Sequence, residues 1–334
     1  MMSPAVHSGT PDREPHQLLA SYHAMVTARA IERRLWVVER LEPSRVIPVP
    51  RAMRGGGEAL QVAAATALRA GHDWVLPGGG DVALCLAMGL SPLDVMLSVY
   101  GRASDPGSAG RDGALGSRAA RIVTNSGDPA RRMLHAAGIA YAAKVRGLDE
   151  VALACIDEAR TASGDWHEAI NFAAVHSLAL ICLVQGRRLG TSALAAPQAA
   201  SPTSSAGGYG IAAAWIDGDD FHVALEAVSG AVERARSGGG PTLIHAPVIE
   251  LTSLSSTGSV RPAEELEAMA QHDPIDRMRR FLVSAGVLDD AGDEQVRREC
   301  ASVVEAAVRE AEEAASPQPA AALDNVFWEE PTHG

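Results

Sequence analysis

The chain has 334 residues, 47% of them hydrophobic and 21% charged, with a formal net charge of −12. That is enough apolar sequence to bury a sizeable core in one large domain or two modest ones, and the acidic balance gives nucleic acid no electrostatic footing. Lys144 is the only lysine, which excludes a Schiff-base lysine elsewhere in the chain and leaves no phosphate-loop lysine.

The four cysteines, Cys85, Cys155, Cys182 and Cys300, form no C-x-x-C pair, so neither a zinc site nor a redox dithiol is indicated. Three of them sit in apolar runs and read as buried, inert thiols. No charged-then-apolar leader opens the chain and no apolar run reaches membrane-spanning length, so a reducing cytoplasm is the expected compartment.

Residues 1–16 are rich in Pro, Ser and His and are expected to be disordered. A helix follows over about 17–40, with an apolar stripe of Leu18, Leu19, Met25, Ile31, Leu35 and Val38. Residues 42–57 read as a loop, and Glu58 to Leu68 as an alanine-rich helix. The Gly/Ser/Arg/Asp-rich stretch from Gly101 to Asn125 reads as a long loop. After a helix over 129–146, Val151–Ile156 reads as a buried strand, 165–175 as a helix and Leu178–Val184 as a second buried strand. This strand–helix–strand unit is the mark of a parallel α/β sheet. A loop of small residues over 193–208, a strand at 213–216, a helix over 221–236 and a strand at 241–249 continue the pattern. The tail, from about 262, is helical over 262–271, 274–285 and 293–315, each helix with an acidic residue near its start. The fold class is therefore α/β, a mostly parallel sheet flanked by helices with helical N- and C-terminal extensions. Residues 17–334 read as a single domain.

Several stretches in this order resemble one family. They are Gly138–Gly147, Gly164-Asp-Trp-His-Glu-Ala-Ile-Asn-Phe-Ala-Ala174, Tyr209-Gly-Ile211, Asp217-Gly218, Pro241-Thr-Leu-Ile-His-Ala246, Arg261-Pro262 and Asp273-Pro274-Ile275. They are similar to the alpha subunit of the decarboxylating component of pyruvate, branched-chain and acetoin 2-oxo acid dehydrogenase complexes, from about Tyr22 to Glu330. The resemblance implies a thiamine-diphosphate-binding fold, a diphosphate held through magnesium, and a beta-type subunit as partner in a heterodimer or heterotetramer. The helix beginning near Gly164 and the helix containing Lys144 are the expected association surfaces.

Magnesium takes oxygen ligands in near-octahedral geometry. In the family a G-D-G motif and a pair of asparagines supply them. Here Asp157-Glu158-Ala159 follows the first strand, with Glu158 at the ligand Asp. Gly186-Arg187 replaces the asparagine pair, and Arg187, at the second Asn, has five donors and no acceptor. Leu189, at the backbone-ligand position, keeps a carbonyl oxygen. Glu158, Arg187 and Leu189 are thus the degenerate cofactor-binding positions, and no catalytic residue or intact metal site is identified. The family's Y-R-D-H segment reads Gly79-Gly80-Asp81-Val82. Its loop histidine falls near Gly116, its second active-site histidine at Leu254 and the arginine upstream of that at Glu250. The Gln and Pro of its Q-L-P segment fall at Arg132 and Leu134.

The pattern points to an alpha-like subunit whose magnesium and thiamine diphosphate binding is lost or weakened, a pseudoenzyme that stabilises or regulates a beta-type partner. An active decarboxylating subunit with a non-standard cofactor site is one alternative, and a homo-oligomeric structural protein unrelated to thiamine is another. Glu158 and Arg187 could pair as a salt bridge in place of the metal, or stand as solvated loop charges. Arg187 and Arg188 could instead hold a phosphate by forked hydrogen bonds. His167 and Glu168 read as packing or interface residues rather than a general base, His135 and His176 as core or interface histidines, and Gly55–Gly57 and Gly78–Gly80 as tight turns or flexible linkers.

Overall fold

The computed structural model describes residues 13–41, 46, 55–110, 114–124, 129–187, 202–251, 267 and 270–323. Five strands, β1 (Trp74–Leu76), β2 (Ala152–Asp157), β3 (Leu180–Arg187), β4 (Ala212–Trp215) and β5 (Thr242–Val248), form one sheet in the order β1-β2-β3-β5-β4. Every pairing is parallel. The α/β architecture read from the sequence is the one observed.

Helices cover both faces, which is why the central strands read as unbroken apolar runs. Successive side chains alternate between two cores. Val75, Leu153, Cys155, Ile181, Leu183, Ile244 and Ala246 pack on one face. There they meet α1 (Pro15–Leu41), α2 (Glu58–Ala67), α3 (Val82–Ala87), α4 (Pro92–Val99), α8 (Phe221–Arg236) and the two tail helices, α9 (Pro274–Ser284) and α10 (Asp290–Glu313). Leu76, Ala154, Ile156, Cys182, Val184 and Leu243 point to the other. That face carries α5 (Arg131–Val145), α6 (Gly164–Val175) and the short α7 (Pro202–Ala206).

Helix starts follow the capping chemistry of the sequence. The Ser91 hydroxyl accepts from the Asp94 N–H, and the Asp94 carboxylate accepts in return from the Ser91 N–H. Ser163 caps α6 through the Trp166 N–H, and Asp220 caps α8 through the His222 and Val223 N–H groups. Asp273 caps α9 with Pro274 at its first position, and Asp289 caps α10. In α6, Trp166, Ala169, Ile170 and Ala173 are buried at helical spacing.

Several expectations shift. The first helix begins at Pro15, inside the stretch expected to be disordered, and residues 1–12 lie outside the described residues. Strand β1 and helices α3 and α4 were not read from the sequence. Within 101–124, the described part is a series of turns in which Asp105 accepts from the Gly107, Ser108 and Gly110 N–H groups. Ile122 bridges both Ser117 and Val75 there. The helix expected over 262–271 falls almost wholly outside the described residues. The four cysteines are free and buried, and burial pushes their thiols up. Among the described residues no helix is long and apolar enough to cross a membrane.

Candidate cofactor site

A pocket opens at the carboxyl ends of β2, β3 and β5, the edge at which open α/β sheets bind ligands. Its floor is Cys155–Asp157 and Gln185–Gly186, and its walls come from Glu32 of α1, Gln61 of α2, Gly78–Asp81, Arg132 of α5 and Val248–Glu250. One glycine is sterically required. Gly56 has φ +109°, and a Cβ there would stand 2.1 Å from the Ile249 carbonyl oxygen, so only glycine lets the turn before α2 close over the exit of β5.

Asp81 anchors the pocket. Its carboxylate accepts from the Gly78 N–H at 2.6 Å, Gln185 Nε2 at 2.9 Å and Gln61 Nε2 at 3.2 Å, and is itself buried. Gln61 in turn accepts from the Ala83 N–H at 3.1 Å, which ties α2 to the start of α3. Beneath them Glu58 accepts from the Gly56 N–H at 2.7 Å and from two nitrogens of Arg29. Glu32 accepts from the Gly55 N–H at 3.0 Å. Burial, with the neighbouring Glu58 charge, raises the Glu32 carboxyl to about 8. Arg132 is buried and donates to the Cys155 carbonyl oxygen, while its Nε has no partner among the described residues. Burial and the nearby Asp81 carboxylate raise the Cys155 thiol, so it is no nucleophile.

The positions expected from the sequence distribute unevenly. Glu158 opens a one-turn 3-10 helix directly after β2, with its side chain 47% exposed. Its recorded ionic neighbour is His245 of β5, whose Nε2 stands 3.6 Å from Glu158 Oε1. Arg187 ends β3, in register with Val248. Its side chain, and Leu189 and Arg188 entirely, lie outside the described residues, as does Leu254. Asp157 pairs in register with Gln185, which brings the two strand ends together as the motif requires. Arg132 and Glu250 line the pocket, but Leu134 is exposed on α5 and Gly116 sits in the 114–124 turns. His135 is exposed, so the core reading of it fails; the α5 register that buries Met133 and Ala137 turns it outward. His167 is exposed too, with Nδ1 2.5 Å from the Tyr209 hydroxyl.

Sequence reasoning missed the buried acids Glu32 and Glu58, the buried Arg29, and His245. For His245 a signal was present: in Pro241-Thr-Leu-Ile-His-Ala246 it stands where the resembling family stretch carries a glutamate.

With this geometry in place, similarity to known proteins decides the family. The family model for the dehydrogenase E1 component matches residues 22–320. The chain belongs to the dehydrogenase E1 component family. It is 37% identical over 313 residues to the 2-oxoisovalerate dehydrogenase subunit alpha of Bacillus subtilis (strain 168), spanning 92% of this chain and 94% of that one. It is 33% identical over 246 residues to the 3-methyl-2-oxobutanoate dehydrogenase subunit alpha of Mycobacterium tuberculosis (strain ATCC 25618 / H37Rv), 72% of this chain and 65% of the relative. It is 28% identical over 308 residues to the pyruvate dehydrogenase E1 component subunit alpha of Staphylococcus aureus (strain N315), 90% and 80% respectively. All three are alpha subunits, and the E1 family depends on thiamine diphosphate. The sheet-end pocket of this E1 alpha chain is therefore the place to look for the diphosphate.

Proposed function

We propose that this chain is an alpha-type E1 subunit that keeps the family's scaffold and assembly surface but has lost or weakened its hold on magnesium and thiamine diphosphate. It would act as a structural or regulatory partner of a beta-type subunit, in a cytoplasmic heterodimer or heterotetramer.

One observation carries this reading: the charge of the pocket. Asp81, Asp157 and Glu250 line it beside Glu32, whose carboxyl is kept protonated by burial, and Arg132 is the one guanidinium on its described walls. A diphosphate needs cations and free N–H donors. One N–H of Arg132 is already committed to Cys155. The metal fares no better. Among the described residues no three His, Cys, Asp or Glu side chains converge. The buried donor next to Glu158 is an imidazole nitrogen rather than an oxygen. These donors do not fit a magnesium-bound diphosphate.

The partner reading rests on a surface. On α5 and α6, Tyr141, Val145, Phe172 and Val175 are exposed, as is Leu148 beyond α5. The Tyr141, Phe172 and His176 rings pack in tilted and edge-on contacts with centroids 4.5–5.4 Å apart. Contiguous exposed apolar groups of this kind mark interaction surfaces. Lys144 donates to the His176 carbonyl oxygen at 2.5 Å, an exposed link between the two helices beside the patch.

The second reading, an active subunit with an altered site, draws on the half-exposed carboxylate of Glu158 at the end of β2. Calorimetric titration of thiamine diphosphate with magnesium separates the two, with the chain alone and with a co-expressed beta-type subunit. The proposal expects no binding heat while the subunits still assemble. Tight magnesium-dependent binding overturns it in favour of the second reading.

A further inference from the structure

We propose that the cleft between α1, α9 and α10 binds a small organic monoanion, a carboxylate with an apolar body of about four to six carbons. The cleft shares no lining residue with the sheet-end pocket, so the proposal stands or falls separately from the function proposed above.

The first observation is the space. The cleft holds about 470 Å³, within the range of small-molecule sites. Ala30 of α1 and Ala301 of α10 both line it, and their short side chains leave room there. Val26, Ile275 and Val304 supply an apolar lining and are themselves buried. An inorganic ion gains nothing from such a lining, whereas each methylene laid on it leaves water.

The second observation is the placing of charge. Where α9 begins, the arginines are already engaged. Arg29 holds Asp273 at 2.8 Å and also Glu58, while Arg297 holds Asp293 at 3.0 Å and stands 3.5 Å from Asp276. Further along α1 the cleft is lined by Arg33 and Arg34. Arg33 has no ionic or hydrogen-bonding partner among the described residues. The Arg34 Nε is buried without an acceptor, and its ionic neighbour, the half-exposed Glu305, stands 3.6 Å away. That distance is beyond hydrogen-bonding range, and an ion pair so placed holds its partners weakly. Buried polar atoms are almost always satisfied, so this N–H calls for an acceptor.

The third observation is what these charges select. A carboxylate matches the planar fork of a guanidinium with paired hydrogen bonds. Asp273, Asp276 and Glu305 also line the cleft, so a second negative charge, as on a phosphate monoester, meets carboxylates from both α9 and α10. A monoanion fits the lining when its head lies on Arg33 and Arg34 and its apolar body crosses Ala30 and Ala301. When bound, it joins α1 to α10.

The test is calorimetric titration of sodium hexanoate into the full-length chain, with thiamine diphosphate, magnesium and any beta-type subunit absent. One site is expected, with affinity rising about fourfold per methylene from butyrate to hexanoate. Hexanamide, which keeps the apolar body without the charge, should bind at least about tenfold more weakly, and hexyl phosphate no more tightly than hexanoate. Arg33→Gln and Arg34→Gln should each weaken hexanoate binding about tenfold. Ala301→Leu keeps every charge and fills the cleft. Ala301 is exposed on α10 and leucine suits a helix, so binding lost at an unchanged melting temperature reports occlusion rather than misfolding. Should an arginine variant fail to fold, Ala301→Leu decides. No hexanoate binding by wild type, equal binding of hexanamide, tighter binding of hexyl phosphate, or unchanged binding in the foldable variants each overturns the proposal.

Discussion

Arg29 of α1 grips Glu58 of α2 with two nitrogens, and the same guanidinium reaches Asp273 at the start of α9 at 2.8 Å. Both Arg29 and Glu58 are buried. A forked pair of this kind joins three elements that are far apart in sequence, and it underlies the acidic wall of the pocket. Removing the cation strands two carboxylates in a poorly solvated place. Arg29→Ala is expected to cost about 3–5 kcal/mol in urea unfolding. Arg29→Lys should recover only part of it, because an ammonium cannot fork. A loss below about 1 kcal/mol for Arg29→Ala is what an exposed pair would give, and would count against this network.

Glu32 sets a pH dependence. Its carboxyl titrates at about 8 in the folded chain, raised by burial and by Glu58, against an ordinary value of 4.5. Between those values the folded state holds a proton that the unfolded state has released. The contribution of Glu32 to stability is therefore fully present below about 4.5, declines as pH rises, and levels off above about 8. The slope approaches about 1.4 kcal/mol per pH unit within that window. Glu32→Gln mimics the protonated form, and its unfolding free energy should lack this decline. Parallel pH profiles for wild type and variant from pH 5 to 8 would show that the proton is not there.

Asp81 holds the floor of the pocket by accepting from Gly78, Gln61 and Gln185. Asp81→Ala leaves these donors stranded, at about 1–3 kcal/mol for each one that water cannot reach. Asp81→Asn retains one acceptor oxygen and should lose less. Comparison of denaturation midpoints checks the order, and equal losses in the two variants would deny Asp81 this role.

What could be read from the sequence follows from how each element is buried. Strands β2, β3 and β5 were legible because both of their faces are covered, so the apolar run is unbroken. Helix α8 was legible to its ends because Asp220 caps it and its apolar stripe is regular. Strand β1 has three residues and sits between turns, too short for a period to show. The candidate site was half legible. Glu158 and Arg187 stood out as charges at strand ends, and their opposite signs suggested that they pair. Among the described residues the ionic neighbour of Glu158 is His245, from a strand much later in the chain, while the Arg187 side chain lies outside them. Glu32 and Glu58 lie on helices whose acidic residues look like ordinary solvated ones. Only the packing of α1 against α2 and α9, which brings Arg29 between them, reveals them as buried.

The exposed patch on α5 and α6 tests the subunit reading directly. Phe172 is 39% exposed and Val175 is 71% exposed, so neither is needed to fill the core. Val175→Asp should shift the stability of the isolated chain by no more than about 0.5 kcal/mol, as surface changes usually do, and Phe172→Asp by about 0.5–1.5 kcal/mol, because its ring contacts with Tyr141 and His176 are lost. At an interface centre, losing an aromatic anchor and burying a charge in its place weakens binding by about 2 kcal/mol or more. Co-purification with a tagged beta-type subunit should therefore fall sharply for Phe172→Asp and also for Val175→Asp. Val303→Asp, at a valine on α10 across the sheet that is also exposed, should leave it unchanged. Losses confined to the α5–α6 variants would place the partner on that face. Wild-type recovery in both would move the partner elsewhere and leave the patch without its proposed occupant.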